Sequence, residues 1–312
     1  ACQRMPKLTR SRAVGMVAPS SAVPDTAVID RSAQRFAARG WLAQAGESCF
    51  ARHERFAGTD QLRLAELQAF ATDPRLDLVL VARGGFGLTR LIDRLDYAAI
   101  AHNGRLLCGY SDFTAFNLAY LARAGGVSLQ GPSATELGAA QPDPFTVEQF
   151  FAVLDNPRHR LRFSADGPAL AVAGRLWGGN LALLCALLGT PYFPRVRGGI
   201  LFVEDVNEPA YRIERMLLQL AQAGVLDRQR AILLGDFAPV PATPTDYEYT
   251  LDAALAHLRT RLTVPILRGL PFGHTPRKAT LPVGARATLR VAGTEAELAF
   301  DGFGAPAPHR PR

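Results

Sequence analysis

Four short stretches of this chain hold residue types from which a hydrolytic site could be assembled. In Gly109-Tyr110-Ser111-Asp112-Phe113-Thr114 a serine stands in a turn between an apolar run and a helical one. A hydroxyl at the C-terminal end of a sheet strand lies where open α/β sheets bind ligands. The backbone N–H groups of the following helix would also favour an oxyanion there. The plainer alternative is that Ser111 or Asp112 only caps that helix. Arg83-Gly84-Gly85-Phe86-Gly87 follows a second apolar run, and its glycines let the backbone turn N–H groups into a concavity. A dinucleotide fingerprint counted from Gly85 meets Arg90 where its third glycine belongs, and no G-x-x-x-x-G-K sequence is present, so neither nucleotide motif is satisfied. Glu204, Asp205 and Glu208 follow a third apolar run; they either solvate a loop and favour the next helix start, or one of them orients a histidine. His274 lies in the loop Gly269-Leu270-Pro271-Phe272-Gly273-His274-Thr275. Serine, acid and histidine thus occur in the chain order of α/β hydrolases. An alcohol needs an imidazole to take its proton, and the imidazole needs a carboxylate to set its tautomer and stabilise its cation.

These residues need rigid elements to bring them together. Residues 14–18, 78–82 and 105–109 read as buried strands, and 30–39, 89–95 and 113–123 as helices. This alternation predicts a parallel sheet with crossover helices. A helix is expected at 146–154 within a Pro-, Asp- and Arg-rich stretch. Beyond it come helix 181–188, strand 199–204, helix 212–223, strand 231–235 and a run of short strands. The expected fold is α/β: an N-terminal parallel-sheet domain of Rossmann-like or flavodoxin-like type, then a smaller mixed α/β domain. The expected boundaries are a tail at 1–12, the serine-bearing domain at 13–150, a connection at 151–172 and a second domain at 173–312.

With 312 residues, 48% apolar and 20% charged, the chain is long enough for two folded domains and has no signature of disorder. No apolar run approaches the roughly 18 to 20 residues of a membrane span, and the N-terminal stretch lacks the apolar core of a signal peptide. Cys2, Cys49, Cys108 and Cys185 are widely spaced, with no CxxC pair. This argues against a disulfide framework or zinc site and for a reducing, cytoplasmic compartment. The net charge of +7 comes almost wholly from arginine, Lys7 and Lys278 being the two lysines, and many arginines alternate with acids. A solvated basic surface, rather than a nucleic-acid or membrane partner, is expected, with an anionic small substrate as the functional reading.

The motifs above, together with Val17-Ala18-Pro19-Ser20, Arg55-Phe56-Ala57-Gly58-Thr59, Leu176-Trp177-Gly178-Gly179-Asn180-Leu181, Glu204-Asp205-Val206-Asn207-Glu208, residues 212–220 and Phe272-Gly273-His274, resemble the LD-carboxypeptidase family of serine peptidases. The likeness covers nearly all of the chain beyond the first dozen residues. It implies Ser111 as nucleophile, His274 as base and Glu204 as the carboxylate behind it, because the family's acid is the glutamate of this Glu-Asp pair. It also implies an oxyanion hole from the backbone N–H groups of Gly85 and Asp112. The activity implied is release of the terminal D-alanine from murein tetrapeptides in peptidoglycan recycling, without metal or organic cofactor. Family members are commonly homodimers. Phe86 stands where many relatives carry tyrosine.

Arg83 is the expected cation for a substrate carboxylate. Trp177, otherwise read as a core tryptophan, is the residue expected to stack on a base if the chain instead resembles family relatives that cleave aminoacyl or peptidyl nucleotide antibiotics. A non-catalytic binding module built on the glycine turn would have no use for His274, and a metallopeptidase would need the His-Glu-x-x-His sequence that is absent here.

Overall fold

A computed structural model describes residues 11–303; most of the tail expected at 1–12 lies outside them. The first half runs β1 (Ala13–Val17), α1 (Ala27–Ala37), β2 (Leu42–Ala45), α2 (Asp60–Ala71), β3 (Leu78–Val81), α3 (Tyr97–Asn103), β4 (Leu106–Gly109), α4 (Thr114–Ala124), β5 (Ser128–Gln130), α5 (Ala134–Leu137) and α6 (Pro144–Asp155). The second half runs β6 (Arg160–Ser164), β7 (Leu170–Asn180), α7 (Leu181–Leu187), β8 (Ile200–Glu204), α8 (Ala210–Gln222), β9 (Ala231–Leu234), α9 (Leu251–Arg261), β10 (Ile266–Arg268), β11 (Leu281–Val283), β12 (Arg286–Ala292) and β13 (Glu295–Phe300).

The first sheet has the order β11-β5-β4-β3-β1-β2. Its five strands β1 to β5 are parallel, in the 2-1-3-4-5 order of flavodoxin-like folds. Every residue of β3, Leu-Val-Leu-Val, is buried, as a strand covered by helices on both faces requires. The second sheet has the order β10-β9-β8-β7-β12-β13-β6. Its strands β7 to β10 are parallel, and the hairpin of β12 and β13, with β6 beyond it, is antiparallel. The α/β expectation with two sheets is met.

Two differences from the expected organisation follow from pairing that local patterns do not encode. Residues 151–172 are no bare connection: they hold the end of α6, the edge strand β6 and the start of β7. From the C-terminal half, β11 returns to pair antiparallel with β5, capping the first sheet. The helix expected at 89–95 is only a 3-10 turn over Leu88–Arg90 followed by turns, since Gly87 and a loop tied to the site occupy its start. Helix α2 and the short exposed strand β2 carry too weak a period to have been read.

Helix α6 begins at Pro144, two residues before the start expected at 146. Asp143 caps it, accepting a hydrogen bond from the Thr146 N–H, and Pro144 occupies its first turn. Its Thr146 and Gln149 side chains hydrogen-bond to the segment that follows His274.

Candidate active site

Ser111 follows β4 and is forced into φ 60°, an uncommon conformation for a residue with a Cβ. The bend lifts its hydroxyl out of the sheet, as at the strained turn that presents a hydrolase nucleophile. Gly84 makes room for it: a Cβ there would sit 2.8 Å from Ser111 Cβ and 3.1 Å from its Oγ. The loops after β1, β3 and β4 are tied together by one buried carboxylate. Asp112 Oδ2 accepts from the Ser20 hydroxyl at 2.6 Å and the Leu88 N–H at 2.9 Å. Burial pushes the Asp112 carboxyl above its ordinary range, against those two hydrogen bonds and the charges of Arg63 and Arg55.

Glu204 ends β8 and is completely buried. One of its oxygens takes His274 Nδ1 at 2.7 Å, and the other takes Asn180 Nδ2 at 3.2 Å. With the carboxylate as acceptor, the imidazole proton belongs on Nδ1, which leaves the Nε2 lone pair facing Ser111 Oγ at 3.0 Å. Ser111, His274 and Glu204 therefore form one unbroken hydrogen-bond chain, although they come from two sheets and a loop. Gly235 permits that approach, since a Cβ on it would meet Phe272 O at 2.2 Å and Glu204 Cβ at 3.3 Å.

Of the other residues expected to contribute, Gly85 lies exposed in the glycine turn at φ +104°, and no acceptor among the described residues takes its N–H. Arg83 is half-buried, donates to Ala22 O at 2.6 Å, and helps to line a cavity of about 320 Å³ beside the glycine turn. Trp177 lies elsewhere. It is fully buried in β7, with its indole N–H on Gln229 Oε1 at 2.9 Å and its ring edge-on to Phe193. Its place inside the second domain leaves no exposed face on which a base could stack. A larger cavity of about 690 Å³, beside β9 and α9, includes none of Ser111, Glu204 and His274 in its lining.

Two groups at the site were not identified from sequence. Asn180 caps α7 through its side-chain oxygen, which accepts the Leu183 N–H, while its Nδ2 spans Glu204 and Asp205. Nothing local in the sequence tells which carboxylates this Asn meets. The second group is buried Lys278, whose Nζ lies 3.5 Å from the Tyr110 ring centroid and 2.9 Å from Glu136 Oε1. The Tyr110 ring in turn lies 5.2 Å from that of His274. Burial alone would raise the Glu136 carboxyl; the Lys278 charge and hydrogen bonds from Tyr110, Lys278 and Ser133 instead hold it below the ordinary range. A lone lysine two residues past a loop proline carries no sequence signal of such a role. Among the described residues, no helix is long and apolar enough to cross a membrane.

Comparison with known proteins gives the family of the chain. The family models for the LD-carboxypeptidase N-terminal and C-terminal domains match residues 14–131 and 173–289. The murein tetrapeptide carboxypeptidase of Pseudomonas aeruginosa is 31% identical over 88% of this chain and 92% of its own length. The crystal structure of muramoyltetrapeptide carboxypeptidase from Oxalobacter formigenes superposes with a TM-score of 0.88 at 39% identity, covering 94% of this chain and 99% of that one. The microcin C7 self-immunity protein MccF shares the fold, with a TM-score of 0.84 at 23% identity over 94% of this chain and 97% of its own.

Proposed function

Since the chain belongs to the LD-carboxypeptidase family, we propose that it is a serine carboxypeptidase releasing the terminal D-alanine from murein tetrapeptides, with Ser111, His274 and Glu204 as its triad. The observation that carries this reading is the Ser111–His274–Glu204 hydrogen-bond chain, 3.0 and 2.7 Å long in its two links.

Ser111 Oγ attacks the carbonyl carbon joining diaminopimelate to D-alanine as its proton passes to His274 Nε2. Glu204, unable to reach water, stabilises the imidazolium so formed. The tetrahedral oxyanion is held by the N–H groups of Asp112 and Gly85, each such donor being worth about a hundred- to a thousandfold in rate. Collapse breaks the C–N bond, and the imidazolium returns its proton to the departing amine. Water, deprotonated by the same histidine, then cleaves the serine ester and restores the hydroxyl. Arg83 provides positive charge for a substrate carboxylate. The cytoplasmic location and homodimeric state implied by family resemblance belong to the same proposal, and light scattering of the purified chain tests the second.

The reading is tested by incubating the protein with L-Ala-γ-D-Glu-meso-diaminopimelate-D-Ala and following D-alanine release. Wild-type release that falls by several powers of ten in Ser111→Ala and in His274→Ala, and is untouched by a chelator, supports it. Cleavage of an aminoacyl nucleotide conjugate with no D-alanine release would instead favour the immunity-type activity of MccF-like relatives.

A further inference from the structure

In a 2-1-3-4-5 sheet the strand order reverses between β1 and β3, and the crevice beyond their C-terminal ends is where such folds bind ligands. The cavity of about 320 Å³ opens there. Ser21 follows β1, Arg83 follows β3, and Arg52, Glu54 and Arg55 reach it from the loop preceding α2. Three arginines face one glutamate on this wall. Among the described residues, none of the three forms an ion pair with an acid. Arg83 is anchored on Ala22 O, and the Arg55 guanidinium lies 5.7 Å from the Phe86 ring centroid.

The cavity also adjoins the nucleophile. Ser21 N–H donates to Gly84 O at 3.3 Å, and Gly84 is the residue against which Ser111 packs. The positive charge of Arg55 is felt at Asp112 and that of Arg83 at Tyr110, the two neighbours of Ser111. Guanidinium forks with no ion-pair partner suit a carboxylate, which they can hold by two parallel hydrogen bonds. A cavity at the small end of the roughly 300–1,000 Å³ range of ligand sites suits the end of a peptide.

We propose that Arg52 and Arg55, with Arg83, form a subsite for a substrate carboxylate and so select peptides by that charge. The inference rests on the carboxypeptidase reading. Of the three free carboxylates of a murein tetrapeptide, two belong to the residues that flank the scissile bond and are the ones this subsite takes: that of the terminal D-alanine, and that at the far end of diaminopimelate, whose adjacent ammonium Glu54 would complement.

The test is calorimetric, using Ser111→Ala protein so that substrate stays intact. Three tetrapeptides are titrated: the free acid, its D-alaninamide form, and the form with lysine replacing diaminopimelate. We expect one replacement to weaken binding about ten- to a hundredfold, the range for a lost charge-assisted hydrogen bond. Which one does so identifies the carboxylate. Adding Arg52→Ala or Arg55→Ala should weaken the free acid by the same range, with little further loss for the peptide already lacking that carboxylate. Both side chains are exposed, so their removal should leave melting unchanged. Equal Kd values for all three peptides, equal losses for all on removing an arginine, or no binding at all would overturn the subsite. Wild-type D-alanine release, followed alongside, reports separately on the carboxypeptidase reading.

Discussion

Ser111 holds a backbone conformation that costs an L-residue about 1–2 kcal/mol, and the residue opposite it has no side chain. Adding a methyl group at Gly84 therefore acts on Ser111, the proposed nucleophile, before it acts on the fold. Gly84→Ala is expected to lower kcat about a hundredfold, the scale of an ångström-sized displacement of a reacting group, because its Cβ would stand 2.8 Å from Ser111 Cβ. Steady-state kinetics beside a melting curve checks this, and a variant with unchanged kcat would show that Ser111 yields without consequence. At this scale the sequence was informative about Ser111, Glu204 and His274, since each lies at a strand end or in a glycine-bounded loop. It was silent about Asn180 and Lys278, whose partners are set by folding, and it left Trp177 between a core residue and a stacking platform, of which the structure shows the first.

At the scale of elements, the histidine loop is held by the far domain. The Thr146 hydroxyl of α6 donates to Pro276 O and accepts from Lys278 N–H, both at 2.7 Å, and Gln149 on the same helix brackets Thr280 through its N–H and C=O. Lys278 completes the latch on Glu136 of α5. Removing a buried cation leaves its partner uncompensated. Because Glu136 keeps 23% of its side chain exposed, Lys278→Met is expected to cost near the low end of the usual range, about 3 kcal/mol. Adding Glu136→Gln should recover part of that loss in urea unfolding. The pH dependence follows from the sign of the shift. Glu136 has its folded value below the ordinary 4.5, so its contribution is complete above that value and fades as pH falls through the lower folded one. Acid destabilisation below about pH 4.5 should thus be shallower in Glu136→Gln than in wild type; identical acid limbs would sink the assignment. The buried strands β1, β3, β4, β8 and β9 and the helices α1, α4, α6, α7 and α8 were legible from apolar runs and helical spacing, whereas the 3-10 turn after Gly87 was not, because loop tethering overrode a helical spacing.

At the scale of the molecule, β11 adds a strand from the C-terminal half to the first sheet, and one continuous apolar core includes Leu107 of the first sheet, Phe116 of α4, and Trp177 and Phe202 of the second sheet. The halves should then unfold together. Trp41 lies in the first and Trp177 in the second, both buried, so Trp41→Phe and Trp177→Phe proteins each report on one half. Coincident fluorescence midpoints in urea are expected, and well-separated midpoints would show independent domains. The alternation of buried runs with amphipathic helices, the turn residues and the order serine, acid, histidine are written locally, in periods of a few residues, so the sequence by itself determined the α/β class and the residues able to do acyl chemistry. Which strand pairs across 150 residues, which arginines share a cavity and which carboxylate faces His274 depend on contacts between distant segments. No local period encodes those contacts, and only the tertiary structure decided them.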